Sequence, residues 1–136
     1  MHRSPPRHGK IFIVEDNYLL AELVSDLPHD WGIEPVGPVG RLHPGCQLAE
    51  ECEIDGAILD VKLCEDLVFP ICAILKARKV PFILLTGTPA QASLIPHDFG
   101  EAPLVKKPFE DDELKAALKL ILLLPDRGSA SADAVA

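Results

Sequence analysis

The sequence predicts an α/β fold, a doubly wound five-stranded parallel sheet with helices on both faces. Five short apolar runs alternate with helical patterns between residues 10 and 124, and such alternation is typical of βαβ units. The runs lack polar alternation, which indicates strands buried on both faces. The chain has 136 residues, 48% of them hydrophobic, which suffices for the core of one such domain.

The first half of the chain supplies two strands and two helices. Residues 10–15 (KIFIVE) form an apolar strand, and Asn17 caps a helix that continues to about residue 27 with apolar side chains at helical spacing. Residues 33–39 predict an irregular edge strand, because two prolines and a glycine interrupt them. A short helix follows from about 43 to 52.

The middle of the chain continues the alternation. Residues 54–61 predict a buried strand, and 66–79 a helix in which Pro70 is tolerated only in the first turn. The wholly apolar run 81–86 is the fourth strand. Residues 88–99 contain two prolines and leave room for a short helix only.

The last pair of elements is a strand over 102–106 and a helix over 110–124. The helix begins with acids, carries lysines further along and is dense in Leu and Ala. It has more apolar residues than one buried side needs; the surplus is Leu120, Leu122 and Leu123. One explanation of this surplus is a contact face for a partner or a second copy. The alternative is that it packs under the end of the chain.

The chain divides into three segments. We expect a flexible leader over 1–9, which has adjacent prolines and no acid, and a domain over 10–124. The small, polar residues 125–136 predict a disordered tail.

The composition excludes several function classes. Thirteen Lys and Arg against 21 Asp and Glu give a net charge of −8, which argues against general nucleic-acid binding. No apolar run approaches the length that spans a bilayer, and the N-terminus lacks the apolar region of a secretory signal. We therefore expect a cytoplasmic protein with no nucleic-acid or membrane partner.

The four cysteines form no C-x-x-C pair, and a chain with an ordinary core does not need a disulfide framework. His43 lies near Cys46 and Cys52 in sequence, which raises the question of a zinc site. Their spacing fits no common ligand pattern. We expect free thiols.

Chemistry-bearing residues collect at the carboxyl ends of the predicted strands, where parallel sheets bind ligands. Glu15 and Asp16 end the first strand, Asp60 the third and Thr86 the fourth, and Lys106 and Lys107 end the fifth. Three close carboxylates repel one another, and a divalent cation such as Mg²⁺ relieves that repulsion. With a lysine and a hydroxyl, the set suits a phosphoryl group.

Asp60 is the natural nucleophile of this set, since a carboxylate can form an aspartyl phosphate and the third strand is central. Each feature also has an ordinary explanation when taken alone. The acids can be strand-end caps, Thr86 a residue that favours strands, and the lysine part of a solvated turn.

Four segments resemble the receiver domain of two-component response regulators. They are IFIVEDN (11–17), AILDVKL (57–63), ILLTG (83–87) and VKKPF (105–109). Each is weak alone, but the four stand in the family's order at strand ends. The resemblance covers residues 10–124 and implies the flavodoxin-like receiver fold.

The resemblance assigns the metal site. It implies that Asp16 binds Mg²⁺ directly and that Glu15 acts through water. Asp60 and the backbone carbonyl of Lys62 are the further ligands that it implies.

The resemblance also assigns the phosphoryl chemistry. Asp60 is implied as the phospho-acceptor, Thr86 as the switch hydroxyl, and Lys107 as the lysine that pairs with the phosphoryl group. A cis peptide is implied at Lys107–Pro108. The sequence departs from the family where Leu104 replaces a switch aromatic, and at Lys62, which follows Asp60 by two residues.

We therefore expect a single-domain response regulator. A histidine kinase or histidine phosphotransfer protein donates the phosphoryl group, and the output is contact with an unidentified downstream protein. A homodimer through the face of the fourth helix, fifth strand and fifth helix is a further expectation. The expected chemistry is self-phosphorylation and weak autophosphatase activity, not metabolic catalysis.

Two alternatives remain at this point. One is a receiver-like interaction module that works without phosphate. The other is a small aspartyl phosphatase, although Lys62 stands where such enzymes usually carry a second acid.

Overall fold

A parallel sheet of five strands organises the computed structural model, which describes residues 9–15, 18–26 and 32–122. The strands are β1 (Gly9–Val14), β2 (Ile33–Val39), β3 (Gly56–Asp60), β4 (Phe82–Thr86) and β5 (Leu104–Lys106). Their order is β2-β1-β3-β4-β5, and each neighbouring pair is parallel. The predicted fold class is confirmed. Gly9, which we assigned to the leader, is the first residue of β1.

In the described part of the chain, four helices connect the strands and a fifth follows β5. They are α1 (Tyr18–Ser25), α2 (Leu42–Glu51), α3 (Phe69–Ala77), α4 (Pro89–Ser93) and α5 (Asp111–Leu122). A turn of 3₁₀ helix, His97–Phe99, lies between α4 and β5. The rest of the predicted leader, the end of the first predicted helix and the predicted tail over 125–136 lie outside the described residues.

The core has two layers, one on each face of the sheet. On one face, strand side chains such as Phe12, Leu59 and Leu84 pack against α2 and α3. On the other face, Ile13 and Ile58 belong to the layer packed against α1 and α5. Both faces of each central strand are therefore buried, which is why the strand sequences are apolar throughout.

The helix predicted over 66–79 begins later than expected. Residues Lys62–Leu63 pair antiparallel with Asp66–Leu67, so this segment forms a short hairpin before α3 begins. The buried side chain of Leu63 anchors the hairpin, and the N–H of Val68 donates to the carbonyl of Val61 at 3.0 Å. Because α3 begins at Phe69, Pro70 lies in its first turn, where a proline is tolerated.

β2 is irregular, as its prolines and glycine predict. Its register against β1 shifts between Phe12 and Val14. Gly37 has a φ of +106°, and a Cβ there would lie 2.8 Å from the carbonyl oxygen of Ile13. A residue other than glycine is therefore strained at this position.

All four cysteines are free thiols, and they range from buried Cys72 to exposed Cys64. Within the described part of the chain, no helix is both long and apolar enough to cross a bilayer.

Candidate functional site

Buried polar side chains converge at the carboxyl edge of the sheet. Across residues 9–15, 18–26 and 32–122, the buried polar or charged residues are Glu15, Asp60 and Thr86, which are 5%, 8% and 1% exposed. Asp60 and Thr86 end β3 and β4, and Glu15 directly follows β1. Burying a polar group is costly unless it has a hydrogen-bond or ionic partner, so we expect such partners at this edge.

The sheet fixes the relative positions of these residues. Asp60 is in register with Leu85 of the neighbouring strand, one residue before Thr86. The N–H of Glu15 donates to the carbonyl of Val39 at 2.8 Å, which holds the residue beyond the end of β1. The N–H of Lys107 donates to the carbonyl of Thr86 at 2.8 Å, which places the lysine at the same edge.

The ammonium of Lys107 bridges the two carboxylates. Its Nζ donates to Asp60 Oδ2 at 2.8 Å and lies 3.2 Å from both carboxylate oxygens of Glu15. The side chain of Lys107 is half-buried, and those of both acids are almost fully buried. This arrangement places one cation between two acids, so the three groups carry one net negative charge when all are ionised.

The buried carboxylates of Glu15 and Asp60 favour a positive charge between them. Burial raises the pKa of Glu15 from 4.5 to about 7; the hydrogen bond to Asp60 and its charge act in the same direction, and Lys107 opposes them. For Lys107, burial acts to lower the pKa. The hydrogen bond and charge of Asp60, followed by those of Glu15, outweigh burial and raise it. A second cation at the site would relieve the same repulsion.

The donor set is suited to Mg²⁺. The oxygens of Glu15 and Asp60 are the hard ligands that this ion prefers, and Mg²⁺ needs only one or two carboxylates because it keeps several waters. Within the described ranges, no three His, Cys, Asp or Glu residues group closely enough to hold a metal. The third predicted carboxylate, Asp16, lies outside the described residues.

Lys62 and Pro108 flank the site. The side chain of Lys62 is exposed at the start of the 62–67 hairpin, and the role of its carbonyl as a ligand stays a prediction. The Lys107–Pro108 peptide is cis, as the resemblance implied. Lys106, on β5, is exposed.

A cleft beside the site was not predicted. Its volume is about 560 Å³, and it is bounded by Glu15, by Leu20 and Leu23 of α1, and by the segment from Lys107 to Asp111. Sequence periodicity assigned the α1 leucines to the core, and they do pack there. Sequence periodicity does not predict that these leucines also form the wall of a cleft.

A second missed feature is the tie between Gly87 and α4. The hydroxyl of Thr88 accepts from the N–H of Gln91 at 3.1 Å, and Gln91 Oε1 accepts from the N–H of Gly87 at 2.7 Å. The T-x-x-Q spacing is a capping-box signal that the sequence does contain. It could have located the start of α4.

Comparison with protein-family models and with curated proteins gives no match. Solved structures do match. SdrG from Sphingomonas melonis Fr1 is 33% identical, with a TM-score of 0.69, and the match covers 90% of this chain and 100% of SdrG. This sequence identity, over almost the full length of both chains, shows that this chain and SdrG belong to one family.

Two more distant structures share the fold. The receiver domain of the sensor histidine kinase PA1611 from Pseudomonas aeruginosa PAO1, with magnesium coordinated in its active site cleft, is 22% identical, with a TM-score of 0.67 over 85% of this chain and 98% of that one. A CheY-like response regulator receiver domain protein from Methanospirillum hungatei JF-1 is 20% identical, with a TM-score of 0.69 over 85% and 94%.

Proposed function

We propose that this chain, which belongs to the CheY-like receiver domains of response regulators, accepts a phosphoryl group on Asp60. The donor is a histidine kinase or a histidine phosphotransfer protein. The output is contact with a downstream protein.

The observation that carries the proposal is the bridge from Lys107 to Glu15 and Asp60. Asp60 is the carboxylate closer to the ammonium, at 2.8 Å, and it ends a central strand of the sheet. A carboxylate held beside a cation is placed where an incoming phosphoryl group has its charge neutralised.

The proposed transfer forms one bond and breaks one. An oxygen of Asp60 attacks phosphorus, the P–N bond to the donor histidine breaks, and the electron pair of that bond stays on the imidazole. Lys107 then pairs with the phosphoryl oxygens, and the hydroxyl of Thr86 donates to one of them. Bound Mg²⁺ supplies further neutralisation of the negative charge on the carboxylates and the phosphoryl group.

The proposed ligands of Mg²⁺ are Asp16, Asp60, Glu15 through water, and the backbone carbonyl of Lys62. The positions of Glu15 and Asp60 support this assignment. Both carboxylates form an ion pair with Lys107, so they lie close to each other. Repulsion between these acids is part of what raises the pKa of Glu15, and a divalent cation relieves it.

The proposed output face is formed by α4, β5 and α5. The large hydrophobic residues that are exposed across the described ranges are Leu94, Leu104 and Leu120, at 52%, 43% and 68%. All three lie in or beside these elements, which favours a partner or a second copy there.

Phosphorylation would have to change the relative stability of two conformations of this face. A shift from a 1:99 to a 99:1 mixture of inactive and active conformations needs about 5.5 kcal/mol of preference for the active state.

A cytoplasmic location is also proposed, since the free thiols suit a reducing compartment.

The proposal is tested by intact-protein mass after incubation with acetyl phosphate and Mg²⁺. Wild type is expected to gain one phosphoryl mass, whereas Asp60→Ala, or wild type with a chelator, gains none. Asp66→Ala is the matched control, because Asp66 is an exposed carboxylate on the adjacent hairpin, and it is expected to behave as wild type.

Two results would contradict the proposal. Phosphorylation that persists in Asp60→Ala would exclude Asp60 as the acceptor. If neither acetyl phosphate nor a phosphohistidine donor modifies wild type, the phosphate-independent interaction module becomes the better reading.

A further inference from the structure

Gln91 makes two hydrogen bonds at the start of α4, one with its backbone and one with its side chain. Its N–H donates to Thr88 Oγ1 at 3.1 Å, within the first turn of the helix. Its side-chain Oε1 accepts from the N–H of Gly87 at 2.7 Å, which lies outside the helix. The pattern is that of a capping box, except that the side chain reaches one residue further back.

That extra reach joins α4 to the candidate site. Gly87 is the residue after Thr86, which ends β4 and is 1% exposed. The carbonyl of Thr86 accepts from the N–H of Lys107, the lysine that bridges the two acids. A rotation of the backbone between Thr86 and Gly87 therefore changes the distance from the Gly87 N–H to Gln91.

α4 has little else to fix its position. It has five residues, and none of them is buried. A helix this short is not stable on its own. α4 does contact β4, and after the helix Ile95 and Phe99 pack against the core layer under α3. The first turn of α4 thus depends on the bonds made by Thr88 and Gln91.

We propose that Gln91 is a positioning residue that couples the backbone after Thr86 to α4. A change at Asp60 then reaches the surface of α4 through the hydrogen bond between Gln91 and Gly87. The inference rests on the proposed function for the natural trigger, but the coupling itself can be tested without phosphorylation.

Three variants separate coupling from simple helix stability. Gln91→Ala removes the bond to Gly87. Gln91→Glu keeps an acceptor oxygen at the same reach and serves as the conservative rescue. Thr88→Ala also removes one bond from the first turn of α4, but it leaves the link between Gln91 and Gly87, so it is the matched control for fraying.

The first measurement is amide hydrogen exchange by NMR on the unmodified full chain. Protection of the Gly87 amide is expected to be lost in Gln91→Ala and kept in Gln91→Glu and Thr88→Ala. Unchanged protection in Gln91→Ala would overturn the inference at this step.

The second measurement follows the amide shifts of Ser93 and Leu94 when the site is changed. Two changes are used: phosphorylation by acetyl phosphate with Mg²⁺, and the substitution Asp60→Asn. In wild type and Thr88→Ala, both changes are expected to move these amides. In Gln91→Ala most of that response is lost, whereas the response at Thr86 remains, and Gln91→Glu restores it.

The inference is overturned if Gln91→Ala keeps the α4 response, if Thr88→Ala loses it equally, or if α4 in wild type responds to neither change. Failure of the proposed function has a different signature. In that case wild type gains no phosphoryl mass, while Asp60→Asn still shifts the α4 amides in a Gln91-dependent way.

Discussion

Replacing Glu15 with glutamine tests the electrostatics of the site in the metal-free protein. The ionised carboxylate of Glu15 is held among apolar strands and beside Asp60, so its pKa is raised from 4.5 to about 7, mainly by burial. Glutamine has nearly the same shape and no charge. We expect Glu15→Gln to be more stable than wild type at about pH 8 and equally stable at about pH 4.

The direction follows from proton binding. Because the folded state holds the proton of Glu15 more tightly than the unfolded chain does, the stability that this proton supplies is fully present below pH 4.5. It is lost as the pH rises through about 7. Each pKa unit corresponds to about 1.4 kcal/mol, so the shift sets an upper limit of about 3 kcal/mol. Glutamine also loses the ion pair with Lys107, so we expect an effect of about 1–3 kcal/mol.

The assay is urea unfolding with a chelator present, at a series of pH values between about 4 and 8. Glu65→Gln is the control, since Glu65 is an exposed carboxylate in the 62–67 hairpin, and we expect no pH-dependent difference for it. A Glu15→Gln variant that is less stable than wild type at about pH 8, or a difference that does not depend on pH, would show that burial does not disfavour the ionised Glu15 carboxylate.

Three further predictions concern the site and the core. Lys107→Met leaves two buried acids without their cation. The free energy of unfolding at neutral pH is therefore expected to fall by about 2 kcal/mol in chelator and to recover partly with Mg²⁺. An unchanged free energy of unfolding in urea would contradict the bridge. Leu118→Ala removes a fully buried side chain of α5 and is expected to cost about 2–5 kcal/mol, whereas Leu120→Ala on the exposed face changes stability by less than about 0.5 kcal/mol; equal effects would show that the helix faces are misassigned. Gly37→Ala forces a Cβ to 2.8 Å from a β1 carbonyl at a φ of +106° and is expected to lower the free energy of unfolding by more than about 1 kcal/mol. An unchanged urea midpoint would contradict that geometry.

The strands and the site edge were predictable because their signals are local. Apolar runs such as 81–86 identify strands buried on both faces, and parallel topology then brings the residues at their carboxyl ends to one edge. The structure places Glu15, Asp60 and Lys107 in contact there. Order along the chain and strand direction were enough to bring the acids and the pair Lys106 and Lys107 to one edge, and the family resemblance selected Lys107.

The 62–67 hairpin and the tie from Gln91 to Gly87 were not predicted, for different reasons. The hairpin has two residues in each strand, too few to show a period, and burial of Leu63 and Val68 holds it against the core. The Gln91 tie depends on a side-chain torsion that periodicity does not report. Asp16 lies outside the described residues, and its role remains a prediction.

Chemical trapping tests whether Asp60 carries the phosphoryl group. Borohydride reduces an aspartyl phosphate to homoserine, which peptide mass spectrometry locates in the chain. After treatment with acetyl phosphate and Mg²⁺, we expect homoserine at position 60 and at no other carboxylate. Homoserine at another acid, or none in protein that has gained a phosphoryl mass, would contradict it.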